Sequence, residues 1–142
     1  MEKVLHLSLG DVIALHRRAM IYTGGESQPL LSVAQLEAAL MRPLMAAHYE
    51  DANLIHQAAL LTSGIVQAHA FLDGNKRTAA LACTVFLRMN GLHFAGEPLD
   101  FGREIERLMT DKPDGVAEAM GRFETWLRSH VEAVSEADSK TG

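Results

Sequence analysis

The chain is poor in several things, and each shortage removes a class of protein. It holds one cysteine, Cys83, in 142 residues. No intramolecular disulfide can form, so a reducing cytoplasm is the expected setting. Cys83 lies in an apolar run and reads as a small core residue. Aromatic residues make up only 6% of the chain, against many Ala, Leu and Met. Strands favour aromatic and β-branched side chains, so this balance points to an all-α fold. No apolar run reaches the ~18 residues a membrane-spanning helix needs. Met1-Glu2-Lys3 has no signal-peptide architecture. Basic residues are outnumbered, 13 Lys and Arg against 18 Asp and Glu, for a net charge of −5. A protein that coats nucleic acid carries the opposite balance, and no direct nucleic-acid binding is expected. The histidines other than His69 (His6, His16, His48, His56, His93 and His130) form no His-x-x-x-His or Glu-x-x-His pair and lack cysteine partners. A zinc site is therefore not indicated. There is neither a nucleophile-elbow motif nor a Walker phosphate loop, and no internal repeat.

What the chain does have is ordinary soluble composition, 48% apolar and 22% charged. Its length fits one domain with a proper core. Residues 4–8 read as a short strand or an extended lead-in. A helix follows through about Tyr22, with Asp11 able to cap it; Val12, Ile13, Leu15, Ala19 and Met20 face inward, and His16, Arg17 and Arg18 form the wet side. Thr23 to Leu31 contains Gly24-Gly25 and Pro29 and reads as a connection. Ser32-Val-Ala-Gln35 has capping-box spacing, opening a helix from 33 to about 41 with Val33, Leu36, Leu40 and Met41 inward. Pro43 interrupts it or starts a new piece. Asp51 is placed as the next cap.

From Ala52 to Ala68 apolar residues leave almost no polar stripe, the mark of a buried helix. A second such helix spans about 76–90 and stops at Asn90-Gly91. Leu92-His93-Phe94 looks extended. Pro98 opens a helix with Phe101, Ile105, Leu108 and Met109 inward. After a turn at 111–115, the last helix runs from Val116 to about His130, with Val116, Met120, Phe123 and Leu127 on one face. Residues 1–133 are read as the domain and 134–142 as a disordered tail.

Between the two buried helices lies His69-Ala-Phe-Leu-Asp73-Gly74-Asn75-Lys76-Arg77-Thr78. A core loop has no use for a base, a carboxylate, an amide, a glycine and two cations in nine residues. A helix start leaves backbone N–H groups unpaired at the positive end of the helix dipole, where phosphate sits well. Lys76 and Arg77 there conflict with the dipole unless an anion joins them. Gly74 permits a left-handed turn and close approach of a ligand. Asp73 is a hard oxygen ligand suited to Mg²⁺. Asn75 can cap the helix or donate to a phosphate oxygen. His69 carries an imidazole, the side chain most often used to take a proton from a hydroxyl. Phe71 is the inward anchor.

These residues resemble the signature of the Fic/Doc family, and specifically its Doc (death-on-curing) branch. The general Fic pattern is His-Pro-Phe-x-Asp/Glu-Gly-Asn-Gly-Arg-x-x-Arg. This chain has Ala70 for the proline, Lys76 for the second glycine and Ala80 for the last arginine. All three departures are Doc-like, as is the run Asn75-Lys76-Arg77-Thr78-Ala79. The resemblance implies a compact helical bundle around two central helices, with a short extended N-terminal segment and a flap near 23–31 whose backbone pairs with a target's extended segment.

For function the resemblance implies a toxin of a toxin–antitoxin pair. It would transfer a phosphoryl group from ATP or another nucleoside triphosphate to a serine or threonine of a protein. By likeness that protein is translation elongation factor Tu, and a small antitoxin protein restrains the toxin. His69, Asp73 and Arg77 would be catalytic, Asp73 would hold Mg²⁺, and Gly74, Asn75, Lys76 and Arg77 would bind the nucleotide. Nucleotidyl transfer, the commoner Fic activity, is the alternative, since the same residues serve both. Ala80 and Lys76 favour phosphoryl transfer because they change what holds the terminal phosphate. A non-catalytic partner-binding Fic fold is a third possibility. No Ser/Thr-x-x-x-Glu-Gly/Asn inhibitory run is present, which implies restraint by a separate protein.

Overall fold

Helix α3 (Leu54–Ala68) is the innermost element. Every residue from Leu61 to Val66 is buried, and α3 contacts α2 (Val33–Tyr49), α4 (Asn75–Met89), α5 (Pro98–Thr110) and α6 (Val116–Arg128). Helix α1 (Leu9–Tyr22) packs on α4 and α2. The computed structural model describes residues 3–22, 29–50 and 52–134. Among them the only sheet joins β1 (Leu92–Phe94) to β2 (Val131–Ala133), antiparallel, with Leu92 opposite Ala133, His93 opposite Glu132 and Phe94 opposite Val131. The expected all-α bundle around two central helices is what the chain builds. Among the described residues no helix is long and apolar enough to cross a membrane.

The caps show why the helices begin where they do. Ser32 accepts a hydrogen bond from the Gln35 amide, as its spacing predicts. Asp11 is not the cap of α1. Ser8 is: its hydroxyl accepts from the Asp11 amide, and the Asp11 carboxylate accepts from the Ser8 amide. Helix α3 is capped by Asn53, whose side chain accepts from the His56 amide; Asp51 lies outside the described residues. At the far end of α4, Gly91 takes φ +82°, the left-handed stop expected after Asn90.

Several expectations need correction. Helix α2 is not interrupted at Pro43 but runs through it to Tyr49. Proline there removes the N–H that would bond the Ala39 carbonyl. Helix α3 comes very close at that point: a Cβ on Gly64 would stand 3.2 Å from the Ala39 oxygen and 3.1 Å from its Cβ. The close approach lets the Gly64 Cα hydrogens face an oxygen that lacks its helical donor. Val33, Met41 and Val116, expected inward, are exposed at 47%, 49% and 50%. Each sits at the edge of an apolar stripe whose centre (Leu36 and Leu40, or Phe123 and Leu127) is buried. The last helix ends at Arg128, and the chain then forms β2, which the helical reading to about 130 did not foresee. Of the tail expected over 134–142, Val134 is described and its amide donates to the Gly91 carbonyl at 2.9 Å; the rest lies outside the described residues.

Cys83 is fully buried beside Thr62, and desolvation pushes its thiol up to about 12 from 9.0. The native thiol stays neutral while the unfolded chain ionises first, so this group's contribution to stability falls as pH rises above about 9. Two outcomes are expected. Native protein at pH 8 leaves Cys83 unreactive towards a thiol reagent, and urea exposes it. Gly64→Val, which drives a branched side chain into Ala39, lowers unfolding free energy by about 1–3 kcal/mol in urea titration.

Candidate active site

The six expected site residues, His69, Asp73, Gly74, Asn75, Lys76 and Arg77, line one cleft of about 310 Å³, completed by Val66, Leu72 and Met109. His69 closes α3 in a left-handed conformation, φ 46° and ψ 40°. It is the only non-glycine with positive φ among the described residues. Such a conformation costs about 1–2 kcal/mol for a residue with a Cβ. It also turns the chain sharply out of α3 and leaves the His69 side chain exposed at the cleft.

Four sets of contacts hold the loop that follows. The Phe71 ring is buried and lies flat on His16, centroids 3.7 Å apart and planes at 6°. The Asn75 side chain accepts from the Phe71 amide at 3.1 Å and donates to the Phe71 carbonyl at 2.8 Å. The Ala70 carbonyl accepts from the amides of Leu31 (2.6 Å) and Ser32 (3.2 Å), and the Leu72 amide donates to Pro29 (3.3 Å). Leu30 and Phe71 thus form an isolated antiparallel bridge. Finally, Thr78 bonds the Gly74 carbonyl through both its amide, 2.9 Å, and its hydroxyl, 2.7 Å.

Gly74 is the N-cap of α4, with φ +83° and no side-chain cap. A Cβ there would stand 2.7 Å from Met20 Sδ and 3.3 Å from His16 Nε2. Both conformation and space therefore demand glycine. The first-turn amides of α4 have no carbonyl within the helix to reach, and the residues that carry them, Asn75, Lys76 and Arg77, line the cleft. Asp73 is exposed, and its Oδ1 accepts from the Gly74 amide at 2.8 Å. The Lys76 ammonium, on the exposed first turn, pairs with Glu106 of α5. Both side chains are about half exposed, so the pair adds little stability. Arg77 is exposed and also lines a second, apolar groove of about 480 Å³ that includes Ala80.

Two residues differ from expectation. Asn75 does not cap α4; it is the first helical residue, and both ends of its amide are engaged with Phe71. His16 is not on the wet side of α1. It is 2% exposed, and its Nε2 lies 2.8 Å from the Asp73 carbonyl oxygen. A carbonyl can only accept, so Nε2 carries the hydrogen. The sequence contained the signal. Val12, His16, Ala19 and Met20 fall on one i, i+4, i+7, i+8 stripe, and all four are buried. Polarity argued for the surface, while periodicity argued for the core. The expected flap falls mainly on 23–28, outside the described residues; its C-terminal shoulder, 29–32, is the segment bonded to the loop.

The profile of the Fic/DOC family matches residues 6–87, more than half of the chain. The chain belongs to the Fic/DOC family, in its Doc branch. The curated protein "Toxin Doc" of Mycolicibacterium smegmatis is 41% identical over 64 residues, 44% of this chain and 49% of that protein. "Protein kinase doc" of Escherichia phage P1 is 31% identical over 94 residues, 66% of this chain and 74% of that one. The first match thus spans about half of its relative's length and the second about three quarters. The matched span of the Fic/DOC profile takes in His16 as well as the whole loop, so the stacking pair His16–Phe71 lies within the family region.

Gly74→Ala should lower unfolding free energy by about 1–2 kcal/mol through φ alone, and more through the clash with Met20. Differential scanning calorimetry would read this as a lower melting temperature.

Proposed function

We propose that this Doc-branch protein is the toxin of a toxin–antitoxin pair and transfers the γ-phosphoryl group of a nucleoside triphosphate, ATP by expectation, to a serine or threonine hydroxyl of a protein. The observation that carries the proposal is the meeting of His69, Asp73, Lys76, Arg77 and the uncapped start of α4 in one cleft. The names of the two relatives, a toxin and a protein kinase, support the same direction.

The chemistry follows from the residue types. The His69 imidazole takes the proton of the target hydroxyl. The freed oxygen bonds to the γ-phosphorus as the bond from that phosphorus to the β–γ bridging oxygen breaks, leaving a nucleoside diphosphate. Charge on the transferring group is met by Lys76, Arg77 and the first-turn amides of α4. Asp73 suits Mg²⁺: a single exposed carboxylate on the cleft matches an ion that takes one or two carboxylates and completes its shell with phosphates and water. Among the described residues no group of three His, Cys, Asp or Glu forms a protein-only cage. When bound, Mg²⁺ would neutralise phosphate oxygens and orient the chain of phosphates.

By resemblance to Doc, the proposal takes translation elongation factor Tu as the target, with a block of translation in the cytoplasm as the result; the relatives' toxin names support a small antitoxin protein as the restraint. The Leu30–Phe71 bridge supports the flap idea, since it ties the flap's shoulder to the catalytic loop by main-chain pairing.

The decisive experiment uses ATP labelled at the α or the γ position and a bacterial extract. Label should pass to protein from γ alone. Transfer from α would replace phosphoryl with nucleotidyl transfer, and binding of the nucleotide with no transfer would reduce the protein to a binding module. His69→Ala should cut the rate by ~10²–10⁴; an unchanged rate would remove His69 from the mechanism.

A further inference from the structure

We propose that His16 is a positioning residue for the Asp73 carboxylate, acting through the intervening peptide plane. The idea rests on the reading of Asp73 as the metal ligand, but its geometry stands apart from it. His16 Nε2 donates to the Asp73 carbonyl at 2.8 Å from beneath the loop. The 73–74 peptide is trans, as are all peptides described. In a trans peptide the C=O and the following N–H point in opposite directions. Fixing the carbonyl towards His16 therefore aims the Gly74 N–H the other way. That N–H donates at 2.8 Å to Asp73 Oδ1. One buried donor on α1 thus sets the plane, the plane sets the amide, and the amide sets the carboxylate.

The surroundings make this arrangement stiff. The His16 ring is buried and stacked on Phe71, so it has little freedom to turn. Gly74 leaves no gap over it, its own Cβ position being 3.3 Å from Nε2. Partners that orient a metal-binding side chain without touching the metal commonly change metal affinity 10- to 100-fold when removed.

Three substitutions separate the hydrogen bond from the packing. His16→Phe keeps a flat ring for Phe71 and loses the donor. His16→Asn has a donor placed near the ring's Nδ1 position, too short to reach Asp73. His16→Gln puts an amide nitrogen near the place of Nε2 and restores the donor. Two measurements are made on each folded variant. The first is exchange of the Gly74 amide hydrogen in the metal-free protein by NMR. The second is affinity for Mn²⁺ with inorganic tripolyphosphate present, by electron paramagnetic resonance.

His16→Phe and His16→Asn should exchange the Gly74 amide at least tenfold faster and bind Mn²⁺ about 10- to 100-fold more weakly. His16→Gln should stay near wild type in both. His16→Phe or His16→Asn, folded by circular dichroism and within twofold of wild type in either measurement, overturns the proposal. So does a His16→Gln that behaves like His16→Phe. A separate control tests the underlying assignment. If wild type and Asp73→Asn bind Mn²⁺–tripolyphosphate equally, Asp73 is not a metal ligand, and amide exchange alone then decides the role of His16.

Discussion

Phe71 is where three constraints meet. Its ring is stacked on a buried histidine of α1. Its amide and carbonyl are both engaged by Asn75 at the start of α4. Its backbone is bridged to Leu30, at the shoulder of the segment that enters α2. Directly before it, Ala70 is buried, and its carbonyl accepts the Leu31 amide as part of that bridge and the Ser32 amide beside it. A loop between two helices is ordinarily the mobile part of a fold. Here it is tied to α1, to α4 and to the approach to α2, and the exposed groups beside Phe71 inherit that rigidity. The catalytic roles proposed for those groups would need their positions held closely, and this junction supplies such support.

The division of labour within the motif follows from it. Asn75, Phe71 and Gly74 serve the loop's own structure. His69, Asp73, Lys76 and Arg77 are exposed to the cleft. Strain is confined to one non-glycine, His69, whose left-handed turn ends α3 at the cleft. Glycine at 74 absorbs the second sharp turn with no Cβ penalty, and it must, because Met20 and His16 occupy the space a side chain would need. A short motif of this kind looks like a catalytic string in sequence. In space nearly half of it is scaffold.

The fold beneath the loop is legible to different depths. Helices α3 and α4 announced themselves, since a helix apolar nearly all round has no other place to go than the interior. Their limits differed from expectation by one or two residues, because a cap depends on which side chain turns back to the amides, and at α3 Asn53 does so. Pro43 was read as a break because the rule concerns one helix alone. The close packing of Gly64 against Ala39 comes from a different helix, which no local rule can see. Strand β2 was missed for the same reason: three residues of Val-Glu-Ala extend only because β1 lies alongside them.

The motif pointed to the family by resemblance; beyond that, the amino-acid sequence by itself determined the all-α class, the two buried helices and the crowding of polar and charged residue types in the loop between them. Those features arise from composition, periodicity and residue types crowded at one helix start, all of them local. Tertiary structure decided between the two readings that polarity and periodicity gave His16, bound the Asn75 side chain to Phe71, and paired Lys76 with Glu106 of α5. Each of those pairings joins residues far apart along the chain or asks one polar side chain to choose among partners. That choice is made by burial, because a buried donor or acceptor without a partner costs more than an exposed one that finds water.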